Sequence, residues 1–377
     1  MTTSATAPTA GSTRGGATVP LDEQWQLAPG LPVLLRAAEE TPGTALESQV
    51  EWSKRLRAVG LWSSCPLIAT AQNGALPVEQ RAMAAGAAWA AYGDRQARAV
   101  LRSLWPALSP SDMNALCSLV PAKSLEDLMK GPFIWSVTPF FNEFAILEAR
   151  LSEMARSVDR FVVIEAPVTQ RGVPKPLYFQ DNRERFSRWS AQLEHCVVQL
   201  PEGPDNWKRE RRQRDVGREV LADLGAVDSD LVLSTDLDEI VRAGKVGEIL
   251  KATEQGPVIL MMDMYWYSPD WRDPVPWFHP KAFRFGQVPA ETPYSDIRHQ
   301  PYPVVPNAGW HLSWFGDKQR LETKMEAVAD DVNTGHNRSE QHQERMLTEG
   351  IAIHGRKLQR SNDYFPASLS KVFGGTK

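Results

Sequence analysis

The stretch LSTDLDEI, residues 233–240, ends an apolar run and turns at once acidic. Leu231, Val232 and Leu233 read as a buried strand, and Asp236, Asp238 and Glu239 set three carboxylates within four positions just past it. Taken alone, the acids are a cap on a following helix, whose dipole favours negative charge at its start. The surroundings favour another reading. Two acids separated by one residue beyond a strand end can project into one pocket and hold magnesium or manganese together with substrate phosphates.

Outward from this stretch, strands and helices alternate. FIWSVTPF (133–140) reads as a strand, and the following helix carries Phe144, Leu147, Leu151 and Met154 on one face. RFVVIEA (160–166) and HCVVQL (195–200) are two more strands, and KRERRQRDVGREVLADLG (208–225) is a charged surface helix. DLVLSTDLDEI (230–240) and VILMMDMYWY (258–267) continue the series. The alternation predicts an α/β domain with a mainly parallel sheet flanked by helices, whose ligands bind beyond the carboxyl ends of the strands. Asn142, Glu143, Glu165, Asp236 and Asp238 all fall at that edge.

The chain has 377 residues, 42% hydrophobic and 23% charged, which suits a packed protein of more than one domain. Residues 1–20 read as a disordered tail, 21–130 as a helical accessory domain and 131–377 as the α/β domain. Within the helical part, Pro77 opens one long helix over 78–105, Ser109-Pro110 opens another, and Ser124 with Asp127 resembles a third start closed by Gly131. The net charge of −4 excludes a general nucleic-acid binder. Cys65, Cys117 and Cys196 are too few and too scattered for a disulfide framework or a zinc site, and are expected to be small buried residues. No leader and no membrane span is expected, which points to the cytoplasm. Oligomeric state is not assigned.

Two chemistries use paired acids at a strand end. A sugar-nucleotide transferase lets the metal neutralise a leaving diphosphate while a base deprotonates an acceptor hydroxyl. A phosphatase of the haloacid-dehalogenase type uses the first acid, here Asp236, as nucleophile. That class wants a small residue two positions after the second acid, where Ile240 stands, although Asp330-Asp331 could imitate its later acidic motif. A third possibility is a sugar-nucleotide-binding protein without turnover.

The blocks PFFNEFAILEARLSEM, DRFVVIEAPVTQRGVPKPLYF, NWKRERRQRD, LSTDLDEI, MDMYWYSPDW, GWHLSWFG and HQERMLTEGIAIHGR occur in this order. Together they resemble glycosyltransferase family 17, from about residue 133 to 360. The resemblance implies a GT-A-like fold, a UDP-sugar donor, Mn2+ or Mg2+ on Asp236 and Asp238, and inversion at the anomeric carbon. Asn142, Glu143, Glu165, Arg209, Gln213 and Arg214 would then border the donor, with Asp236 on its diphosphate. Lys175, between two prolines, is a further donor ligand or a plain loop lysine. The donor sugar is glucose or N-acetylglucosamine. The acceptor is a soluble small molecule such as a natural product or nucleoside, with glycan N-acetylglucosaminyl transfer as the alternative.

Three residues compete for the role of general base. Asp263 interrupts an apolar strand, where an acid needs a partner or a function. His311 lies in GWH, and Glu326 lies on a helix that also reads as surface. The aromatics Tyr265, Trp266, Tyr267, Trp271 and Trp277, with Trp310 further on, form either a core or a platform for an acceptor ring. Tyr265, Trp266, Trp271 and Trp310 are taken as the acceptor wall.

Overall fold

A computed structural model describes residues 65–363 together with 365, 366 and 369, so the expected tail lies outside the described residues. The chain divides into two compact units, Met1–Lys130 and Gly131–Lys377.

The first unit is helical where it is described: α1 (Cys65–Gln72), α2 (Val78–Tyr92), α3 (Arg95–Leu104), α4 (Pro110–Leu119) and α5 (Ala122–Lys130). The single helix expected over 78–105 is two. Gly93 closes α2 in the left-handed conformation at φ 62°, and Asp94 accepts from the Ala97 amide to start α3. Glycine followed by an N-capping acid ends one helix and begins the next. Ser109 makes the full capping box with Asp112 and has Pro110 behind it. Ser124 caps nothing, because α5 already begins at Ala122. Gly86 lets α2 approach α4 closely, since a Cβ there would stand 2.6 Å from Leu116 Cδ1. Cys117 is exposed rather than buried.

In the second unit the chain order is β1 (Ile134–Pro139), α6 (Phe144–Met154), β2 (Arg160–Glu165), α7 (Tyr178–Asp181), β3 (Leu193–Val197), α8 (Asn206–Asp223) and β4 (Leu231–Ser234). β5 (Glu239–Val241), α9 (Val246–Ala252), β6 (Val258–Trp266), β7 (Trp271–Arg272), β8 (Lys281–Arg284) and α10 (Tyr294–His299) follow. β9 (Val304–Ser313), α11 (Lys318–Ala327), α12 (Glu340–Glu349) and β10 (Gln359–Arg360) complete the described elements.

The sheet runs β10-β7-β6-β8-β4-β1-β2-β3, with β9 paired to β6 and β5. It is a mostly parallel, mixed sheet, in which β5, β7 and β8 run opposite to the rest. β3, β2, β1 and β4 are parallel neighbours, joined through α6 and α8 as buried βαβ units require. β8 then runs antiparallel between β4 and β6, an arrangement that alternation of strand and helix does not encode.

Order β4-β1-β2-β3 places a reversal between β1 and β4. The chain steps from β1 toward β3 and then returns to the other side of β1. A crevice opens at the carboxyl ends of strands at such a point. The segments leaving β1 and β4 are Phe140–Glu143 and Thr235–Asp238.

Candidate functional site

The acidic loop is shaped from below by Arg150, which is fully buried on α6. Its Nη1 donates to the carbonyls of Asp236 at 3.0 Å, Leu237 at 3.3 Å and Glu239 at 2.9 Å. Its Nη2 donates to Ser136 Oγ at 2.8 Å on β1 and to Thr235 Oγ1. One guanidinium thus ties β1, the end of β4 and three carbonyls of the acidic loop into a fixed form. Burial drags its pKa down to about 10, against the pull of Glu239, Asp236 and Asp238.

Each acid of the loop has cations beside it. Asp236 Oδ2 accepts from Arg298 Nη2 at 2.7 Å, and Arg214 Nη1 lies 2.7 Å from Oδ1. The latter contact is an ion pair whose angle falls short of a hydrogen bond, so Asp236 Oδ1 and Arg214 Nε have no hydrogen-bond partner. Burial opposes the charged form of Asp236, yet Arg214 and Arg298 hold its pKa down at about 2. Asp238 Oδ2 accepts from Lys324 Nζ at 3.0 Å, while His311 Nε2 stands 3.6 Å from Oδ1. There too burial is overcome, by Lys324 and His311, and Asp238 stays ionised well below the usual carboxylate range. Glu239 is wholly buried, accepting from Trp277 Nε1 at 2.6 Å and from Arg298 at 2.6 and 3.1 Å. Glu143 joins Lys324 at 3.0 Å to Arg320 at 3.2 Å.

Of these groups, Asp236, Asp238, Arg214, His311, Lys324 and Glu143 line a cleft of about 260 Å³. Asp236 and Asp238 occupy its middle. On the β9 side stand His311, Trp277 and Lys324, and on the β2–β3 side stand Lys175, Gln213 and Trp207. The His311 ring packs against Trp277 at 4.6 Å, and its Nδ1 has no hydrogen-bond partner. Two loops meet at the cleft. Gln170 Oε1 accepts from the Ala329 amide at 2.7 Å, and Arg171 Nη2 donates to the Asp330 carbonyl at 2.8 Å.

Of the expected site residues, Glu143, Lys175, Gln213, Arg214, Asp236, Asp238 and His311 come together in the cleft. Others do not. Glu165 is sealed beneath α7, bound by the Phe179 amide, His195 and Lys175. Arg209 is committed to Gln170 O, Gly203 O and Asn206 Oδ1, so it braces the loop after β2. Asn142 contributes a left-handed turn at φ 45° and a carbonyl for Arg320.

Among the base candidates, Asp263 is neutralised by Arg242 at 2.8 Å and Arg272 at 2.7 Å away from the cleft. Glu326 is exposed and pairs with Arg338. The aromatic wall is a core. Tyr265, Trp266, Trp271 and Trp310 are all buried, with Trp271 Nε1 donating to Leu347 O and Tyr265 Oη to Asp363. Period-two alternation along β6 could not say which face would be covered, and α12 with the segment around Phe365 covers both.

Arg150, Lys324, Arg298 and Trp207 were not singled out by the sequence. Two of them carried a signal. Arg150 shares a helical face with Leu147, Leu151 and Met154, and Lys324 shares one with Leu321. A charge on a buried stripe needs a partner, and both supply the acidic loop.

Among the described residues, no group of three or more His, Cys, Asp or Glu side chains is placed to hold a metal ion. The residues still fit a magnesium-type ion, which takes one or two carboxylates and completes its shell with water and substrate phosphate. Asp238 Oδ1 has only the distant His311, and Asp236 Oδ1, buried, has Arg214 beside it at 2.7 Å, a cation that an incoming metal would displace toward the phosphate. No described helix is long and apolar enough to cross a membrane.

A family model, Glycosyltransferase family 17, matches residues 107–356, about two-thirds of the chain. The match starts ahead of the motif blocks and takes in α4 and α5. None of the curated proteins compared with the chain matches it.

Proposed function

The chain belongs to glycosyltransferase family 17 and is a transferase; on that premise we propose that it moves glucose or N-acetylglucosamine from a UDP-sugar to an acceptor hydroxyl, with inversion and with a divalent metal. The observation that carries this reading is the meeting of Asp236, Asp238, Arg214, Lys324 and His311 in one cleft at the reversal of the sheet.

Within this reading Asp236 and Asp238 would hold Mn2+ or Mg2+, which would supply positive charge to a leaving diphosphate. Arg214 and Lys324, already beside those carboxylates, turn part of their hydrogen bonding toward the phosphate oxygens. Lys175 adds a third cation from the opposite loop. Arg150 keeps the loop rigid, so little reorganisation is needed when the donor arrives.

His311 is the base. It takes up the acceptor proton from the cleft that it lines, and the Asp238 carboxylate, 3.6 Å from its Nε2, steadies the imidazolium that forms. Attack by the acceptor oxygen as the sugar–phosphate bond breaks is a single displacement and inverts the anomeric carbon. The acceptor is a soluble small molecule such as a natural product or nucleoside, or a glycan.

The phosphatase reading lapses with the family assignment, and two arginines at Asp236 also dampen it as a nucleophile. The test is UDP release from UDP-glucose and UDP-N-acetylglucosamine with manganese, with and without a panel of hydroxyl acceptors. Release that acceptors stimulate supports the reading. No release and no nucleotide binding under any of these conditions removes it.

A further inference from the structure

Trp207 is an anomaly at the cleft. Large aromatics beside water are normally covered, but this indole is 48% exposed on the first turn of α8 while lining the cavity. Among the described residues it has no ring or cation partner. Tryptophan left open at the wall of a polar cleft loses nothing more by being exposed and gains a full face when a flat ring covers it.

Its position says which ring. Trp207, Glu210 and Gln213 are three residues apart, with Arg214 four beyond Glu210, and they present one face of α8 to the cleft. Arg214 marks the diphosphate, next to Asp236. Seven residues toward the helix start, at 1.5 Å each, set Trp207 about 10 Å further along that face. A helix that leads into a parallel strand begins at the carboxyl edge of the sheet, so Trp207 lies outward from the floor of the site.

The sheet order then fixes the direction of the ligand. His311 and Trp277 stand on the β9 side of Asp236, and Trp207 with Thr169 and Gln170 on the β2–β3 side. If the reacting carbon faces His311 and the diphosphate sits at Arg214, the remaining part of the donor extends toward Trp207. That part is the nucleoside. Glu165, expected to border the donor, is sealed under α7 and cannot reach that part.

We infer that Trp207 is the platform on which the nucleobase of a nucleoside diphosphate-sugar stacks. The inference rests on the sugar-nucleotide reading above and adds where the base lies and what specifies it. Stacking accepts any base face, so selection of uracil has to come from polar groups of the same cleft, among which are Thr169, Gln170 and Glu210.

The experiment compares ligands with and without a base. Full-length wild type, Trp207→Ala and Trp207→Phe are titrated calorimetrically with UDP and with inorganic pyrophosphate, both in the presence of manganese. Because Trp207 is exposed, neither variant should disturb folding, which circular dichroism checks. The expected result is a Kd for UDP raised about 10-fold in Trp207→Ala, largely recovered in Trp207→Phe, with pyrophosphate binding unchanged in all three. Unchanged UDP binding in Trp207→Ala, or equal weakening of UDP and pyrophosphate, overturns the platform while leaving the donor reading intact. A wild type that binds pyrophosphate no more weakly than UDP also overturns the platform, since the base then adds nothing. A wild type that binds neither overturns the donor reading itself.

Discussion

The guanidinium of Arg150 donates to the Asp236 carbonyl at 3.0 Å from a position wholly out of solvent. The same group reaches Glu239 O, Leu237 O, Ser136 Oγ and Thr235 Oγ1, so removing it strands several buried acceptors together. Arg150→Met is expected to cost about 3–5 kcal/mol, as losing one member of a buried charged network does. Urea unfolding measures this directly. A loss below about 1 kcal/mol would mean that the loop holds its shape without the arginine.

Much of this was legible in the sequence. The strand ending in Asp236 and Asp238 and the βαβ units around it follow from apolar runs and helical periodicity, because a buried parallel strand must be apolar on both faces. Antiparallel β8, between β4 and β6, was not legible. Pairing direction depends on where connections lead, and the segment from Asp270 to Pro280 carries no periodicity. The site was half legible for a related reason. Asp236, Asp238, Arg214, His311 and Trp207 lie in recognisable blocks, whereas Lys324 and Arg298 reach the acidic loop only by tertiary packing. The aromatic wall failed because an aromatic-rich strand looks the same whether a helix or water covers its second face.

Asp238→Asn should keep the fold and lose at least about 100-fold in kcat, since it removes charge next to Lys324 and from the proposed metal. UDP release reads the loss and near-ultraviolet circular dichroism the fold. Chelation of divalent ions should abolish wild-type turnover, and manganese should restore it. Turnover in Asp238→Asn near the wild-type rate would sink the metal reading.

His311→Gln keeps a polar ring-sized side chain but no base. Its kcat should fall by roughly 10²–10⁴ with acceptor present, while the Kd for UDP stays put. Asp263→Asn and Glu326→Gln serve as controls, because both acids are paired away from the cleft. A larger kcat loss in either control than in His311→Gln would reassign the base.

Trp271 distinguishes core from acceptor wall. It is buried, donates to Leu347 O at 2.8 Å and packs beneath the Arg360 guanidinium at 4.0 Å. Trp271→Ala should therefore cost about 3–5 kcal/mol of stability, as large aromatic deletions in cores do. Whatever folded protein remains should show an unaltered acceptor KM. A raised KM at full stability would restore the platform reading.

His279 gives a pH dependence of defined sign. Burial and the neighbouring Arg298 push its pKa down from 6.5 to about 4, with Lys281 and His299 adding and Glu239 opposing. Above pH 6.5 the ring is neutral folded and unfolded, so it has no effect. Between about 6.5 and 4 the unfolded chain takes the proton and the folded one does not, so stability falls with pH across that window. Below about 4 both forms are protonated and the loss levels off. The shift corresponds to about 3 kcal/mol at most, and partial solvent access brings the expected loss nearer to 2 kcal/mol. Urea unfolding of wild type and His279→Asn near pH 7 and near pH 4.5 isolates the term, because every other titrating group is common to both proteins. Wild type should lose about 2 kcal/mol more than the variant; equal losses would mean that the ring between Trp277 and His299 takes up its proton without strain.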